Sequence, residues 1–153
     1  DRVSDVVTVP AVQGPLMCAV AFQGRAACFD MQGGSQIWSK EVSSVAGITM
    51  DDRRVFIPDE QGVVHAFDRS TGASVWRQDK LKYRNVSAPV ALPMGLVVGD
   101  GEGFLHVLDR DTGEFISRMN VGGGGVMSIL PALGPNTVLL QTRGGSLMAV
   151  TLQ

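Results

Sequence analysis

Apolar residues recur along this chain in short runs, each closed by glycine, aspartate or proline. The stretch GVVHAFDRSTGASVW, Gly62 to Trp76, shows the pattern most plainly. Val63 to Phe67 is a run of strand formers and Ala73 to Trp76 begins a second, which predicts a β-hairpin. Between them, Asp68-Arg69-Ser70-Thr71-Gly72 has the chemistry of a tight turn. The Asp68 carboxylate can accept a hydrogen bond from a backbone N–H two residues on, and Gly72 can take the positive φ that closes the turn. Trp76 adds a large apolar plate with one N–H donor, suited to packing against a neighbouring sheet.

The same pattern is written elsewhere, as GRAACFDMQGGSQIW from Gly24 to Trp38 and as GFLHVLDRDTGEFIS from Gly103 to Ser117. The leading glycines Gly24, Gly62, Gly103 and Gly145 are spaced by 38, 41 and 42 residues. The first three are followed six residues later by Asp30, Asp68 and Asp109, and ten residues later by Gly34, Gly72 and Gly113. A period of roughly 40 residues with about four short strands per repeat marks the blades of a β-propeller. The expectation is therefore an all-β fold of four-stranded antiparallel blades, about four of them, forming one propeller unit over residues 1–153.

The blades are expected at about 5–41, 45–79, 86–120 and 126–153, with residues 1–7 entering the first. Strands are expected near 8–12, 16–20, 25–29, 35–40, 47–50, 53–58, 63–68 and 73–78, and in matching places of the last two repeats. In the fourth repeat Thr151 stands where the aspartate should be, and no outer strand follows. These features point to half of a ring of roughly eight blades. An open stack would expose two apolar blade faces and a free strand edge, so two copies are expected to pair as a dimer.

Composition narrows the function more than the fold. Nineteen of 153 residues are glycine, well above the usual ~7% and in keeping with a chain that turns every few residues. A net charge of −2 argues against a nucleic-acid partner, and no apolar run approaches the ~18 residues that cross a bilayer. Cys18 and Cys28 lie on consecutive strands of one hairpin. If Val20 pairs with Arg25 they point to opposite faces, and two buried free thiols are expected.

Few residues carry candidate chemistry. His65 and His106 both stand three residues after their repeat glycine. Equivalent positions in successive blades are held apart by the blade spacing, so they read as structural rather than metal-binding. Asp30, Asp68 and Asp109 read as turn residues, and Trp38 and Trp76 as packing between blades. The run Gly122–Gly125 reads as a flexible connector. The chain contains no GxSxG, HExxH, CxxC or Walker-type motif, so no catalytic residue, cofactor or metal site is expected. The connectors between blades, residues 1–7, 41–46, 79–87 and 120–128, should emerge on one rim, where binding to a partner is expected.

FDRSTGASVW and LDRDTGEF resemble the PQQ-type β-propeller repeat, a family divided between quinone-dependent dehydrogenases and non-enzymatic propellers. DRVSDVVTVP and SAPVALPMGLVVGDGEGFLHVLDRDTGEF are similar to the second group, in the lipoprotein scaffold family of the bacterial outer-membrane β-barrel assembly machinery. That resemblance implies a ring at the periplasmic face of the outer membrane, held by an N-terminal lipid in the half absent here. It implies a non-enzymatic scaffold that binds a POTRA domain of BamA through rim loops and assists barrel insertion. Unfolded outer-membrane proteins are a second implied partner. The family's RxSDxD segment implies partner-binding roles for Arg2, Ser4 and Asp5, whereas Val7 stands where the second acid would be. The dehydrogenase alternative needs a vicinal cysteine pair and an axial calcium site, and no adjacent cysteines exist in this chain.

Overall fold

The computed structural model describes residues 8–20 and 24–153, and every regular element among them is a strand. The first sheet contains β1 (Ala11–Gln13), β2 (Leu16–Val20), β3 (Arg25–Asp30) and β4 (Gln36–Glu41). The second contains β5 (Thr49–Met50), β6 (Arg54–Pro58), β7 (Val64–Asp68) and β8 (Ser74–Gln78). The third contains β9 (Val90–Leu92), β10 (Gly95–Gly99), β11 (Phe104–Leu108) and β12 (Phe115–Asn120). The last contains β13 (Val126–Pro131), β14 (Thr137–Thr142) and β15 (Leu147–Thr151). All pairings are antiparallel and each sheet runs in sequence order. This is a four-bladed β-propeller array.

Alternation along the central strands builds the stack. In β6, Val55 and Ile57 join Cys18, Val20 and Trp38 against the first blade, while Phe56 turns to Leu96, Val98 and Leu108 of the third. In β10, Leu96 and Val98 face the second blade, and Val97 packs with Val138 and Leu140 of the fourth. Strands covered on both faces read as unbroken apolar runs such as Val55–Ile57, because neither parity reaches water. Each such side chain contributes about 1.5–3 kcal/mol by burial. The resulting stack is continuous from blade to blade.

Two expectations fail, and both failures are instructive. Val20 pairs with Ala26 rather than Arg25, so Cys18 stands directly opposite Cys28. The two form a disulfide with Cα atoms 4.1 Å apart, and there is no free cysteine. The cause is loop length. In the sister hairpins the N–H of Asp59, Asp100 and Thr142 bonds the carbonyl of Val63, Phe104 and Ser146, leaving three-residue loops. An odd loop puts residues of equal parity opposite one another, and 18 and 28 share parity. Closing a loop of this length contributes about 2–3 kcal/mol in the chain-entropy description.

The run Gly122–Gly125 is the second failure. Its backbone is tied down by bonds from Gly122 N–H to Gly103, from Gly144 N–H to Gly123 and from Arg143 N–H to Gly125. A Cβ on Gly125 would strike the Gly101 carbonyl, and one on Gly123 would sit 2.5 Å from Thr142. The glycines permit close backbone approach between the third and fourth blades, and give a packed junction instead of a loose connector.

Candidate functional site

Two kinds of turn recur from blade to blade. On one rim lie the β3–β4, β7–β8 and β11–β12 turns that open with Asp30, Asp68 and Asp109. Asp68 Oδ1 accepts from the N–H of Ser70 at 2.8 Å and Thr71 at 3.0 Å, and Asp109 Oδ1 accepts from Asp111 at 2.7 Å and Thr112 at 3.0 Å. These backbone bonds hold both carboxyls below the usual carboxylate range, against a smaller upward push from burial. Asp30 accepts from Gln32 and Gly33 in the same way. The carboxylates are occupied locally by their own turns.

The tryptophans join these turns to the preceding blade. Trp38 Nε1 donates to the Arg69 carbonyl and Trp76 Nε1 to the Arg110 carbonyl, both at 2.8 Å. Their rings lie over Gly72 and Gly113, where a Cβ would collide with the indole. Trp38 also meets Phe67 and Trp76 meets Phe56. Arg110–Asp51 and Arg54–Asp111 pairs, both at 3.2 Å, bridge the second and third blades beside them.

The opposite rim carries the leading glycines and the connectors. Gly62, Gly103 and Gly145 close the β6–β7, β10–β11 and β14–β15 hairpins with φ near +90°. Backbone bonds stitch these tips to the connectors: Glu60 to Ser43, Tyr83 to Gln61, Gly101 to Arg84 and Gly144 to Gly123. Val45 and Tyr83, from two connectors, and Met127, at the start of β13, border a depression of about 690 Å³ together with Glu60 and Arg143. Tyr83 is 81% exposed at φ +63°, and Asn85 is also left-handed at φ +53°. Left-handed backbone at non-glycine residues persists only where the surroundings impose it, and it concentrates at functional sites.

A buried ionic network holds Arg84, the residue between Tyr83 and Asn85. Asp100, fully buried, accepts from Arg84 Nε at 2.7 Å, His106 Nε2 at 2.6 Å and the N–H of Glu102 and Phe104. Burial pushes its carboxyl up, but the bonds from His106, Arg84 and the backbone outweigh that and leave it below its ordinary value. Asp59 and His65 form the same pair one blade earlier, at 2.9 Å. The sequence carries this signal as D-x-x-G-x-x-H at Asp59–His65 and Asp100–His106. A residue at the hairpin mouth and one two steps diagonal on the facing strand share a face. The histidines read in isolation gave no hint of it. No group of metal-ligating side chains occurs among the described residues. Arg2, Ser4 and Asp5 lie outside the described residues.

The family model described as outer membrane protein assembly factor BamB matches residues 1–78 and 60–153. The chain belongs to the BamB family. It is 46% identical to the BamB of Bordetella pertussis over 98% of its own length and 39% of that protein. It is 41% identical to the Burkholderia pseudomallei protein over 95% of its length and 38% of that protein. The crystal structure of BamB from Moraxella catarrhalis superposes with a TM-score of 0.88 at 30% identity, over 94% of this chain and 42% of that one. The chain thus spans about two-fifths of its BamB relatives.

Proposed function

We propose that this chain is part of a non-enzymatic scaffold of outer-membrane protein assembly, presenting its connector rim to a POTRA domain of BamA at the periplasmic face of the outer membrane. The observation that carries the reading is similarity to relatives named as assembly factors across nearly the whole chain. The stitched rim adds a physical means. A partner meeting a preformed surface loses little ordering entropy on binding. The Cys18–Cys28 disulfide favours the same compartment, since such bonds persist where the environment is oxidising. Arg2, Ser4 and Asp5 supply the polar part of the contact, and Tyr83 an aromatic anchor of the kind that dominates interfaces.

Calorimetry of this chain with the BamA POTRA domains at physiological salt tests the reading. Micromolar binding is expected, weakened about tenfold by either Asp5→Ala or Tyr83→Ala, which corresponds to about 1.4 kcal/mol. No binding would place the contact in blades outside this chain. Full affinity in both variants would remove these residues from the interface.

Self-association of the isolated chain is supported by the last blade. β15 pairs only with β14 among the described strands. On the face turned away from the third blade, Leu130 stands opposite Leu139 and Leu139 opposite Ala149, with Leu147 81% exposed nearby. Such a face and an unpaired edge invite a second copy. Light scattering is expected to show a dimer of the 16.2 kDa chain. A monomer mass at all concentrations would refute it.

A further inference from the structure

Between the second and third blades, under the connector at 79–87, lies a cavity of about 410 Å³. Its apolar walls are Leu81, Phe115 and Ile116, and Lys80, Arg84 and Arg118 surround them. The three cations are not equivalent. Arg84 is committed to Asp100 and to Glu102, at 2.7 and 2.9 Å. Lys80 and Arg118 enter none of the ion pairs among the described residues. The Arg118 guanidinium lies 4.8 Å from the Phe104 ring centroid, which fixes its orientation without neutralising it. Phe115 stands edge-on to His106, itself only 3% exposed and held from behind by Asp100.

The repeat supplies an internal contrast. The corresponding groove around His65, between the first and second blades, is bordered by Glu41, Asp59 and Glu60. His65 and His106 occupy the same repeat position, so the blade architecture alone does not dictate a cationic, aromatic-walled groove. Phe115, 38% exposed, stands at the repeat position that Gln36 and Ser74 fill in the first two blades, whereas Ile116 repeats the exposed apolar residues Ile37 and Val75.

We propose that this cavity is a binding site for a carboxylate carried on an apolar, preferably aromatic, body. The carboxylate lies between Lys80 and Arg118, whose unpaired charges gain a partner. The body lies on Leu81, Phe115 and Ile116, and a ring stacks against the Phe115 edge. A few convergent polar groups over an apolar floor is the usual composition of a small-ligand site. The same chemistry is offered by a free organic acid and by the terminal carboxylate of a peptide.

The test is an amide-resolved NMR titration of the whole chain with 3-phenylpropanoate and with 3-phenylpropanamide. A parallel pair of short peptides ends in phenylalanine with a free or an amidated C-terminus. Saturable shifts are expected at Leu81, His106 and Phe115–Arg118 with the acids, and binding about tenfold weaker or worse with the amides. The exposed pair Lys80→Gln/Arg118→Gln should keep the spectrum of the fold and lose binding by a similar factor. A peptide acid binding about tenfold tighter than the free acid assigns the site to chain termini, and equal binding assigns it to free acids. Equal response to acid and amide, no saturable shift with either acid, or full binding in the double variant would overturn the proposal.

Discussion

Asp100→Ala is expected to cost about 3–5 kcal/mol of folding stability, read as a lowered urea midpoint. The carboxylate is fully buried and receives four hydrogen bonds, two of them from Arg84 and His106. Alanine removes the acceptor, leaving a nearly buried imidazole unpaired and a partly buried guanidinium held by Glu102 alone. That loss exceeds the net worth of the pairs themselves. Asp100→Asn keeps an oxygen for the Glu102 and Phe104 N–H groups while removing the charge, so it should recover part of the deficit. The pH dependence separates the two contributions. Asp100 has a folded value below its ordinary 3.8, so its ionic stabilisation is full above about pH 4 and is lost as pH falls through the lowered value. Asp100→Asn should therefore flatten the acid limb of stability against pH. Some slope must remain, because Asp68 and Asp109 are also held low. An acid limb unchanged in Asp100→Asn would mean that the charge contributes nothing beyond its hydrogen bonds. The same network holds Arg84 between Tyr83 and Asn85, so loss of Asp100 should also loosen the part of the rim assigned to partner binding.

How far the fold was legible depends on which physical rule wrote each feature. The repeat of glycine, aspartate and glycine was legible because each residue answers a local backbone demand: Asp68 accepts from its own turn and Gly72 closes it. The strand positions followed from apolar runs bounded by those turns. The cysteine pairing was misread because parity across a hairpin depends on one residue of loop length, which the strands themselves do not encode. The glycine run at 122–125 was misread because its constraint comes from Gly101, Gly103 and the 142–144 tip, some near and some far in sequence. The candidate site divides the same way. That connectors would gather on a rim followed from topology, whereas the Asp100–His106–Arg84 network needed two spacings at once, six residues along the hairpin and sixteen back to the connector. A lone histidine shows only the first half of such a pattern.

Trp76→Ala is expected to cost about 3–5 kcal/mol, because it empties a seam between the second and third blades. The ring is buried against Phe56, donates to the Arg110 carbonyl and covers Gly113. Three glycines make the contribution of that contact measurable. Gly34, Gly72 and Gly113 close equivalent turns at φ +72°, +74° and +75°, so alanine at each meets the same backbone penalty of about 1–2 kcal/mol. Their surroundings differ. A Cβ at Gly34 meets nothing within 4 Å, whereas one at Gly113 collides with the Trp76 indole and one at Gly72 comes within 2.7 Å of Trp38. Gly34→Ala should then report the backbone cost alone, and Gly113→Ala should exceed it by about 1–3 kcal/mol of overpacking. In a Trp76→Ala background the excess at Gly113 should vanish, a coupling of similar size in the double-mutant cycle. Additive losses at Trp76 and Gly113 would sink the contact as a source of stability, and equal losses at Gly34 and Gly113 would show that the turn conformation alone demands glycine. A coupled result makes the indole on the next blade's turn the joint that transmits rigidity from blade to blade, and hence to the connectors on the far rim.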